Sequence, residues 1–256
     1  MNYTNIIIVA NKKKIISFNQ FNLKRKSWAK SLYKDNKVKK LKKELYIAAD
    51  KKNFCYLYNW FGEPMLQTPD DILTIQEIIW ETKPDVILEV GVAWGGMILL
   101  YDSLAKKCGI KKIIGVDIFI PKDLINRVFS KVDKKKVFLI NDDSTSNETF
   151  NKIKKIMGKY KNIMIHLDSN HTKKHVLEEL LLYSKLCKKN NYIIVSDTII
   201  EHIPKQKHRA REWSKGNNPK NAVDEFLKIN KKFKIDLIRN YKQLLTNNPK
   251  GFIKKI

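Results

Sequence analysis

The chain has 256 residues, with 51 Lys or Arg against 26 Asp or Glu, a formal net charge of +25, and a hydrophobic content of 43%. This apolar content excludes a mostly disordered chain, and the length predicts one domain with a short extension. No apolar run approaches the roughly 18–20 residues of a spanning helix, which argues against a transmembrane protein.

Residues 1–50 differ in composition from residues 51–256, and we interpret them as a basic N-terminal extension ahead of the main domain. The strand-like start Met1–Val9 has no basic stretch before it and no cleavage site after it, which predicts no secretory signal. The Lys-dense segment Lys24–Lys43 has loosely helical apolar spacing. We interpret it as a solvated helix against the core; the alternative is a basic amphipathic helix that contacts a membrane surface or a partner.

The source of the positive charge bears on the class of partner. Five of the 51 basic residues are Arg, and the others are Lys spread along the whole chain. Base readout and bidentate phosphate binding favour Arg, so the composition argues against a nucleic-acid partner. The charge fits a solvated Lys-rich surface or, alternatively, attraction to an anionic substrate or membrane.

The three cysteines, at positions 55, 108 and 187, form no CxxC pair. An odd, widely spaced set predicts neither a disulfide framework nor a zinc site and suits a reducing compartment, so we expect a cytoplasmic protein. The sequence leaves the number of subunits open, a homo-oligomer included.

After a helix predicted at Pro69–Lys83, strand-length apolar runs alternate with helical segments. Continuous apolar strands separated by helices indicate an α/β fold with a mostly parallel sheet covered on both faces. The last two strands, joined by a short Asn-Asn-Pro-Lys-Gly loop, predict a hairpin and therefore an antiparallel last strand. The predicted strands are Val86–Val90, Lys112–Asp117, Val137–Ile140, Ile163–Asp168, Tyr192–Asp197, Phe233–Ile238 and Phe252–Ile256.

The first of these strands contains Glu89 next to its last residue and runs into a turn that contains Gly91, Ala93, Gly95 and Gly96. In an open parallel sheet, ligands bind beyond the carboxyl ends of the strands. Glycines there let the backbone come close to a ligand at a helix N-terminus. The GxxxGG spacing is not the GxGxxG of dinucleotide binding, so a nicotinamide-dependent oxidoreductase is a disfavoured alternative.

Acidic residues follow the next two strands. Asp117 ends the second strand, where a carboxylate can accept hydrogen bonds from a ribose diol. Asp143 and Ser144 follow the third strand, where the base of such a cofactor would lie. Each residue alone also fits a helix cap or turn, but together with the Gly-rich turn they favour a nucleoside-bearing cofactor.

The fourth and fifth strands end in Asp168 and Asp197. Because parallel strands bring these ends to one rim, we expect the two carboxylates to share a hard cation such as Mg²⁺. His171, at the predicted start of a helix, is a candidate general base. A histidine there also fits a cap or an exposed position, and we give that interpretation to His166, His175, His202 and His208.

Three motifs carry a resemblance to a known family: Phe61–Pro69 with Gln76–Gly96, Leu167–Thr172, and Val195–Glu201. Over about residues 55–256 the chain resembles the cephalosporin hydroxylase family of S-adenosylmethionine-dependent methyltransferases. That family is similar to rhamnosyl and macrolide-sugar O-methyltransferases. The resemblance implies a Rossmann-like class I methyltransferase fold with seven strands and a Mg²⁺-assisted O-methyl transfer.

The resemblance also implies roles for residues. It makes S-adenosylmethionine and Mg²⁺ the cofactors, Asp168 a metal ligand and catalytic residue, and His171 the family's histidine. The family's acidic pair after the fifth strand here reads Ser196-Asp197, so one expected metal carboxylate is missing. We predict Asp168, Asp197 and Ser196 as the metal-binding residues. Water or Thr198 could supply the missing ligand, and we therefore expect weaker metal binding than in the family at large.

The irregular segment 199–218 carries Arg209, Arg211 and Trp213, and we predict that it covers an anionic or glycan acceptor. A sugar on a polysaccharide or on a nucleotide or lipid carrier is the preferred acceptor, which points to polysaccharide biosynthesis. The alternative from another class is a non-catalytic basic module that binds nucleic acid or a membrane on a methyltransferase-like scaffold. Binding of S-adenosylhomocysteine separates the two, because a pure binding module should ignore it.

Overall fold

The computed structural model describes residues 16–256, so the segment predicted at Met1–Val9 lies outside the described residues. The Lys-dense segment forms two helices, α1 (Phe18–Lys34) and α2 (Asn36–Asp50). Ser17 begins α1 with a capping box, and the Asp35 side chain accepts a hydrogen bond from the Val38 backbone at the start of α2. The extended backbone of Asp35 therefore ends one helix and begins the next.

The other elements alternate as the sequence predicts, apart from a small hairpin ahead of the main sheet. In chain order they are β1 (Asn59–Trp60), β2 (Glu63–Pro64), α3 (Pro69–Thr82), β3 (Val86–Val90), α4 (Gly96–Cys108), β4 (Lys112–Asp117), α5 (Lys122–Phe129), β5 (Val137–Asn141), α6 (Asn147–Met157), β6 (Ile163–Leu167), α7 (Lys173–Tyr183), β7 (Tyr192–Val195), α8 (Pro219–Ile229), β8 (Phe233–Ile235) and β9 (Phe252–Lys255). Short 3-10 helices lie at Phe54–Tyr56, Thr198–His202 and Leu237–Asn240.

Seven strands form one sheet in the order β5-β4-β3-β6-β7-β9-β8. The pairs from β5 to β7 are parallel, and β9 is antiparallel to both β7 and β8. The predicted α/β fold with an antiparallel last strand is therefore confirmed. The strand order reverses between β3 and β6, which opens a crevice at their carboxyl ends.

The prediction for the end of the sheet was wrong in two details. The strand predicted at Phe233–Ile238 ends at Ile235, and the connection to β9 is not a short loop but residues 236–251. The Asp236 side chain accepts a hydrogen bond from the Ile238 backbone and so begins a 3-10 helix in place of more strand. Local side-chain capping competes here with the sheet ladder.

The core lies on both faces of the sheet, because neighbouring side chains of a strand point to opposite faces. In β3, Val86, Leu88 and Val90 pack in the cluster that contains residues of α6, α7 and α8. Ile87 packs in the cluster with residues of α3, α4 and α5. Among residues 16–256, no helix combines the length and the apolar character needed to cross a bilayer.

Candidate active site

A cleft of about 630 Å³ opens at the carboxyl ends of β3, β4, β6 and β7. The predicted site residues that line it are Glu89, Gly91, Ala93, Gly96, Asp117, Asp143, Ser144, Asp168, His171 and Asp197. Gly95 and Ser196 are not among its lining residues. The sheet therefore brings most of the predicted site together at the point where the strand order reverses.

The Gly-rich turn after β3 is held by close backbone contacts on both sides. At Gly91, where φ is +101°, a Cβ atom would lie 2.1 Å from the carbonyl oxygen of Asp168. At Gly96 a Cβ atom would lie 2.4 Å from the carbonyl oxygen of Pro64 in β2. Larger residues would push the turn away from β6 and from the β1–β2 hairpin, so these glycines serve internal packing as well as access to a ligand.

Asp117, predicted to bind a ribose, is bonded to this turn. Its Oδ2 accepts hydrogen bonds from the backbone N–H groups of Val92 (2.8 Å) and Ala93 (3.1 Å), and its Oδ1 accepts one from Phe119 N (3.2 Å). Ala93 has a positive φ of 46°, which the two bonds to Asp117 help to hold. Asp117 therefore fixes the shape of the turn from inside the cleft.

The two residues predicted beside the cofactor's base have different surroundings. Asp143 is exposed, and its Oδ1 accepts hydrogen bonds from the backbone and the hydroxyl of Thr145, both at 2.8 Å. The Ser144 hydroxyl instead donates to Glu179 Oε1 at 2.6 Å. Asp143 thus begins a turn, while Ser144 belongs to a buried network.

That network corrects the interpretation of His175, which is neither a cap nor a surface residue. His175 Nε2 lies 3.0 Å from Glu179 Oε1, and the Ser169 hydroxyl donates to the same oxygen at 2.6 Å. The carboxylate of Glu179 is fully buried, and its Oε2 has no hydrogen-bond partner within residues 16–256. Ser144, Ser169 and His175 line the cleft in front of it.

His166 corrects the sequence interpretation more strongly, because it lies at the centre of a second buried network. Its Nδ1 is 2.9 Å from Glu89 Oε2, and its Nε2 is 2.8 Å from Ser196 Oγ. The Tyr101 hydroxyl donates to the same Glu89 oxygen at 2.6 Å. Glu89 and Ser196 are each 1% exposed, and His166 and Tyr101 are 0% exposed.

Ser196 was predicted as a metal ligand, but its hydroxyl lies behind the wall of the cleft, within hydrogen-bond distance of His166. The Gln67 amide connects the two, because its Nε2 donates to Asp168 Oδ2 at 2.7 Å and lies 3.4 Å from Ser196 Oγ. Gln67 Oε1 is buried and has no hydrogen-bond partner in the described part of the chain. Oxygen donors from Asp168, Asp197 and Gln67 are of the kind that a hard cation takes.

The charge around Asp168 also fits a cation. Desolvation in the cleft raises the pKa of Asp168 well above its usual range, and the charges of Asp197 and Glu89 raise it further. Ligand atoms of Glu89, His166 and Asp168 lie within 4.8 Å of one another. Carboxylates that converge in this way repel one another unless a proton or a cation compensates their charge.

His171 and Asp197 lie together at the rim, as predicted. His171 Nε2 is 3.4 Å from Asp197 Oδ2, and the imidazole packs edge-on against the Trp213 ring at 4.8 Å between centroids. Desolvation lowers the pKa of His171 from its ordinary value, although the Asp197 charge acts in the opposite direction. A neutral imidazole at this position is able to accept a proton.

The side of the cleft opposite the strands combines the end of α2 with the irregular segment 199–218. The Asp50 carboxylate accepts hydrogen bonds from Gln206 Nε2 at 2.9 Å to each oxygen, and it pairs with Arg209. Arg209 also donates to the Tyr56 hydroxyl at 2.8 Å. The charge of Arg209 is therefore compensated by Asp50, whereas Arg211 is exposed and lies over the Trp213 ring.

Gln67 and His166 were not predicted as site residues, although the sequence contains a feature that points to each. Gln67 lies within the motif Phe61–Pro69, whose residues were given no role. His166 is the register partner of Glu89 between β3 and β6, so two polar residues inside apolar strands lie side by side. Since buried polar side chains need hydrogen-bond partners, two of them in register on neighbouring strands indicate a buried polar network.

Comparisons with known proteins agree with this architecture. A model of the family described as Rhamnosyl O-methyltransferase/CmcI matches residues 52–256. The rhamnosyl O-methyltransferase of Mycobacterium leprae is 29% identical over 147 residues, which cover 57% of this chain and 62% of that protein. The rhamnosyl O-methyltransferase of Mycobacterium tuberculosis H37Rv is 27% identical over 197 residues, 76% of each protein.

Among solved structures, CmcI without ligand aligns with a TM-score of 0.54 at 18% identity over 78% of this chain and 77% of that chain. CmcI with Mg and S-adenosylmethionine aligns with a TM-score of 0.53 at 20% identity, with the same coverage. At this identity the likeness concerns the fold. The resemblance predicted from the sequence motifs and the class I methyltransferase fold are both confirmed.

Proposed function

Because the chain belongs to the rhamnosyl O-methyltransferase/CmcI family, we propose that it transfers a methyl group from S-adenosylmethionine to a hydroxyl of a sugar or glycan-like acceptor. We propose that residues 51–256 carry out the methyl transfer and that the end of α2 contributes to the acceptor side of the cleft. The observation that carries the proposal is the common cleft in which Asp117, Asp168, Asp197 and His171 meet beside the Gly-rich turn.

The strand side of the cleft supports cofactor binding. The turn Gly91–Gly96 and the buried networks of Glu89 and Glu179 form a polar wall with few free rotamers. Such a wall suits a cofactor with a charged amino-acid end, a ribose and a base, since rigid donors and acceptors lose little entropy on binding. These features support the binding of S-adenosylmethionine or of a ligand of the same chemical class.

Mg²⁺ fits the donor set, and Asp168 and Asp197 would hold it, with Gln67 Oε1 as an additional oxygen. When bound, such an ion supplies positive charge that lowers the pKa of a nearby hydroxyl. Its charge would also offset the repulsion among the carboxylates around Asp168.

The chain's own residues would handle the proton. His171 would take it from the acceptor hydroxyl, and Asp197 Oδ2, 3.4 Å from His171 Nε2, would stabilise the imidazolium that results. As this O–H bond breaks, the hydroxyl oxygen forms a bond to the methyl carbon and the carbon–sulfur bond of the sulfonium breaks. S-adenosylhomocysteine leaves as a neutral thioether, so charge and atoms balance.

The residues on the acceptor side of the cleft favour a neutral sugar ring, rather than an anionic group, as the acceptor. Arg209, which the sequence suggested for an anion, is already paired with Asp50 and Tyr56. Trp213 and Tyr56 line the cleft with aromatic surface beside His171. Aromatic rings provide apolar contact for the C–H faces of a sugar, with polar edges nearby for its hydroxyl groups.

Two measurements on the full chain test the proposal. Calorimetry with S-adenosylhomocysteine, with and without Mg²⁺, tests cofactor binding. Incubation with methyl-labelled S-adenosylmethionine and a panel of rhamnosides, other neutral glycosides and sugar phosphates, followed by mass spectrometry, tests methyl transfer. We expect cofactor binding and label in a neutral glycoside.

Failure to bind S-adenosylhomocysteine under either condition would remove the methyltransferase assignment. Binding of the cofactor with label found only in sugar phosphates would keep the enzyme class and overturn the neutral acceptor.

A further inference from the structure

The segment formed by α1 and α2, residues 18–50, carries a dense positive charge outside the region that matches the family. Between residues 16 and 52 the chain has twelve Lys or Arg and three Asp or Glu. The exposed members on α1 include Lys24, Lys26, Lys30 and Lys34, and α2 adds others. One face of the molecule thus carries a concentrated positive potential.

The same segment exposes large apolar side chains. On α1, Phe18 is 78%, Phe21 43% and Trp28 57% exposed, and no α1 side chain is buried within the described structure. Phe21 packs edge-on against Trp28 at 6.0 Å between ring centroids, and Phe18 lies three residues before Phe21, so the three rings share one side of the helix. On α2, Leu41 and Leu45 are 54% and 55% exposed.

The segment is attached to the body at specific points, so its exposed face has a fixed direction. The Tyr33 ring packs on Tyr241 at 4.9 Å between centroids, and the Tyr46 hydroxyl donates to Asn247 Oδ1 at 2.7 Å. Lys42 Nζ donates to the backbone oxygen of Gln243 at 3.4 Å. All three contacts join the segment to residues 241–247, which support the rim of the cleft.

We propose that the α1–α2 segment is a docking surface for a bilayer that contains anionic lipids. A helix with lysines beside exposed Phe and Trp rings is the pattern of interfacial binding, in which the apolar side chains enter the headgroup region and the lysines attract the lipid phosphates. A nucleic acid would satisfy the lysines but offers no apolar phase for Phe18, Phe21 and Trp28. The charge and the apolar exposure together favour the bilayer.

The position of α2 links this surface to the cleft. Tyr46 and Asp50, near the end of α2, line the cleft, while the start of the same helix and α1 carry the basic surface. A protein docked through this segment would therefore hold its acceptor side at a fixed distance from the lipid surface. This inference goes beyond the proposed reaction and does not depend on it.

The test is sedimentation of the full chain with vesicles of phosphatidylcholine alone and of phosphatidylcholine with phosphatidylserine. We expect binding to the anionic vesicles and little to the neutral ones. The variant Lys24→Glu/Lys26→Glu/Lys30→Glu should bind at least 100-fold more weakly, since each lysine near the surface contributes roughly a factor of five. The variant Phe18→Ser/Phe21→Ser/Trp28→Ser should bind at least about tenfold more weakly at unchanged charge.

A matched control is Lys111→Glu/Lys134→Glu/Lys135→Glu, which makes the same charge change at exposed lysines near the amino ends of the strands. It should keep most of the binding. Melting curves and binding of S-adenosylhomocysteine report whether each variant is folded.

Equal loss in the control and α1 charge variants, or full binding by the folded Ser variant, would overturn the docking surface. So would tight binding to RNA or DNA without binding to anionic vesicles.

Discussion

The two sides of the cleft differ in how firmly their polar groups are held. On the strand side, Glu89, His166 and Ser196 are at most 1% exposed and bond to one another. On the acceptor side, next to Trp213, the His171 and Asp197 side chains are 14% and 30% exposed, and they meet at 3.4 Å. Side chains locked by buried networks suit a ligand that is the same in every turnover, whereas partly exposed groups suit an acceptor that must enter and leave.

The largest effect should come from the acceptor side. Replacement of His171 by alanine should lower turnover by about 10²–10⁴-fold, because a positioned base is lost, and should leave the affinity for S-adenosylhomocysteine unchanged. Desolvation keeps the pKa of His171 below its ordinary value of 6.5, so activity should fall only below that pH as the imidazole becomes protonated. The acidic limb of the pH–rate profile should disappear in the variant.

The matched control is His202→Ala, at an exposed histidine that does not line the cleft. Its turnover should equal that of the unchanged chain. If His171→Ala keeps full turnover and only melts earlier, the base belongs elsewhere and the two sides are not divided as we describe.

The next effect tests the strand side. Asp117→Ala removes the acceptor of two backbone hydrogen bonds and should release the Gly-rich turn. The released turn should lose the equivalent of one charge-assisted hydrogen bond to the cofactor, about 1.5–3 kcal/mol, so affinity for S-adenosylhomocysteine should fall by about 10–100-fold in calorimetry. Asp142→Ala, one strand end away, removes a carboxylate that pairs with Lys152 at 2.9 Å and should leave that affinity unchanged.

An Asp117→Ala chain that binds the cofactor as tightly as the original would mean that the turn holds its shape without the carboxylate. The cofactor side would then depend on the buried networks instead.

Ser196 lies behind the wall of the cleft and is connected to Asp168 through the Gln67 amide, and its replacement should have a smaller effect. Ser196→Asp adds an anionic oxygen beside Asp168 and should tighten Mg²⁺ binding about tenfold. The same charge is buried among other carboxylates, so the variant should melt at a lower temperature without Mg²⁺ and recover in its presence. Melting curves with and without Mg²⁺ measure both effects.

Ser196→Ala is the control, since it removes the hydroxyl without adding charge, and its melting should respond to Mg²⁺ as the unchanged chain does. The longer Ser196→Glu should gain less than the aspartate, because His166 Nε2 is only 2.8 Å from Ser196 Oγ. If the melting temperature of Ser196→Asp is the same with and without Mg²⁺, Ser196 does not lie beside a cation site.

The smallest effect concerns the attachment of α2 to the rim. Tyr46→Phe removes the hydroxyl that donates to Asn247 and should cost about 1 kcal/mol, a shift of about 2–4 °C in Tm. Affinity for S-adenosylhomocysteine should not change, whereas KM for an acceptor should rise a fewfold. Tyr160→Phe is the control on the far side of the sheet. An equal shift in Tm for this variant would show that the hydrogen bond to Asn247 contributes no particular stability.

The sequence was sufficient to predict the strand ends because a buried parallel strand has a simple pattern, and an acidic residue at its carboxyl end interrupts that pattern. Asp168, Asp197 and His171 were found in this way. The networks of His166 and Glu179 were not, because their partners come from β3, β7 and α7, and their pairing depends on strand register and packing. The early end of β8 was not predicted for a related reason, because capping by Asp236 competes with an apolar run that continues to Ile238.

The insertion of β9 between β7 and β8 has a consequence for synthesis on the ribosome. The edge of β7 stays open until residues 252–254 have been translated, and Asp197 N can donate its hydrogen bond to Asn248 Oδ1 only when residue 248 is in place. The rim of the cleft is therefore completed only after residues 248–254 have been made, when the parallel part of the sheet has had time to form. During that interval the open edge is a site for pairing with another nascent chain, so conditions that slow elongation between residues 195 and 254 should favour aggregation over activity.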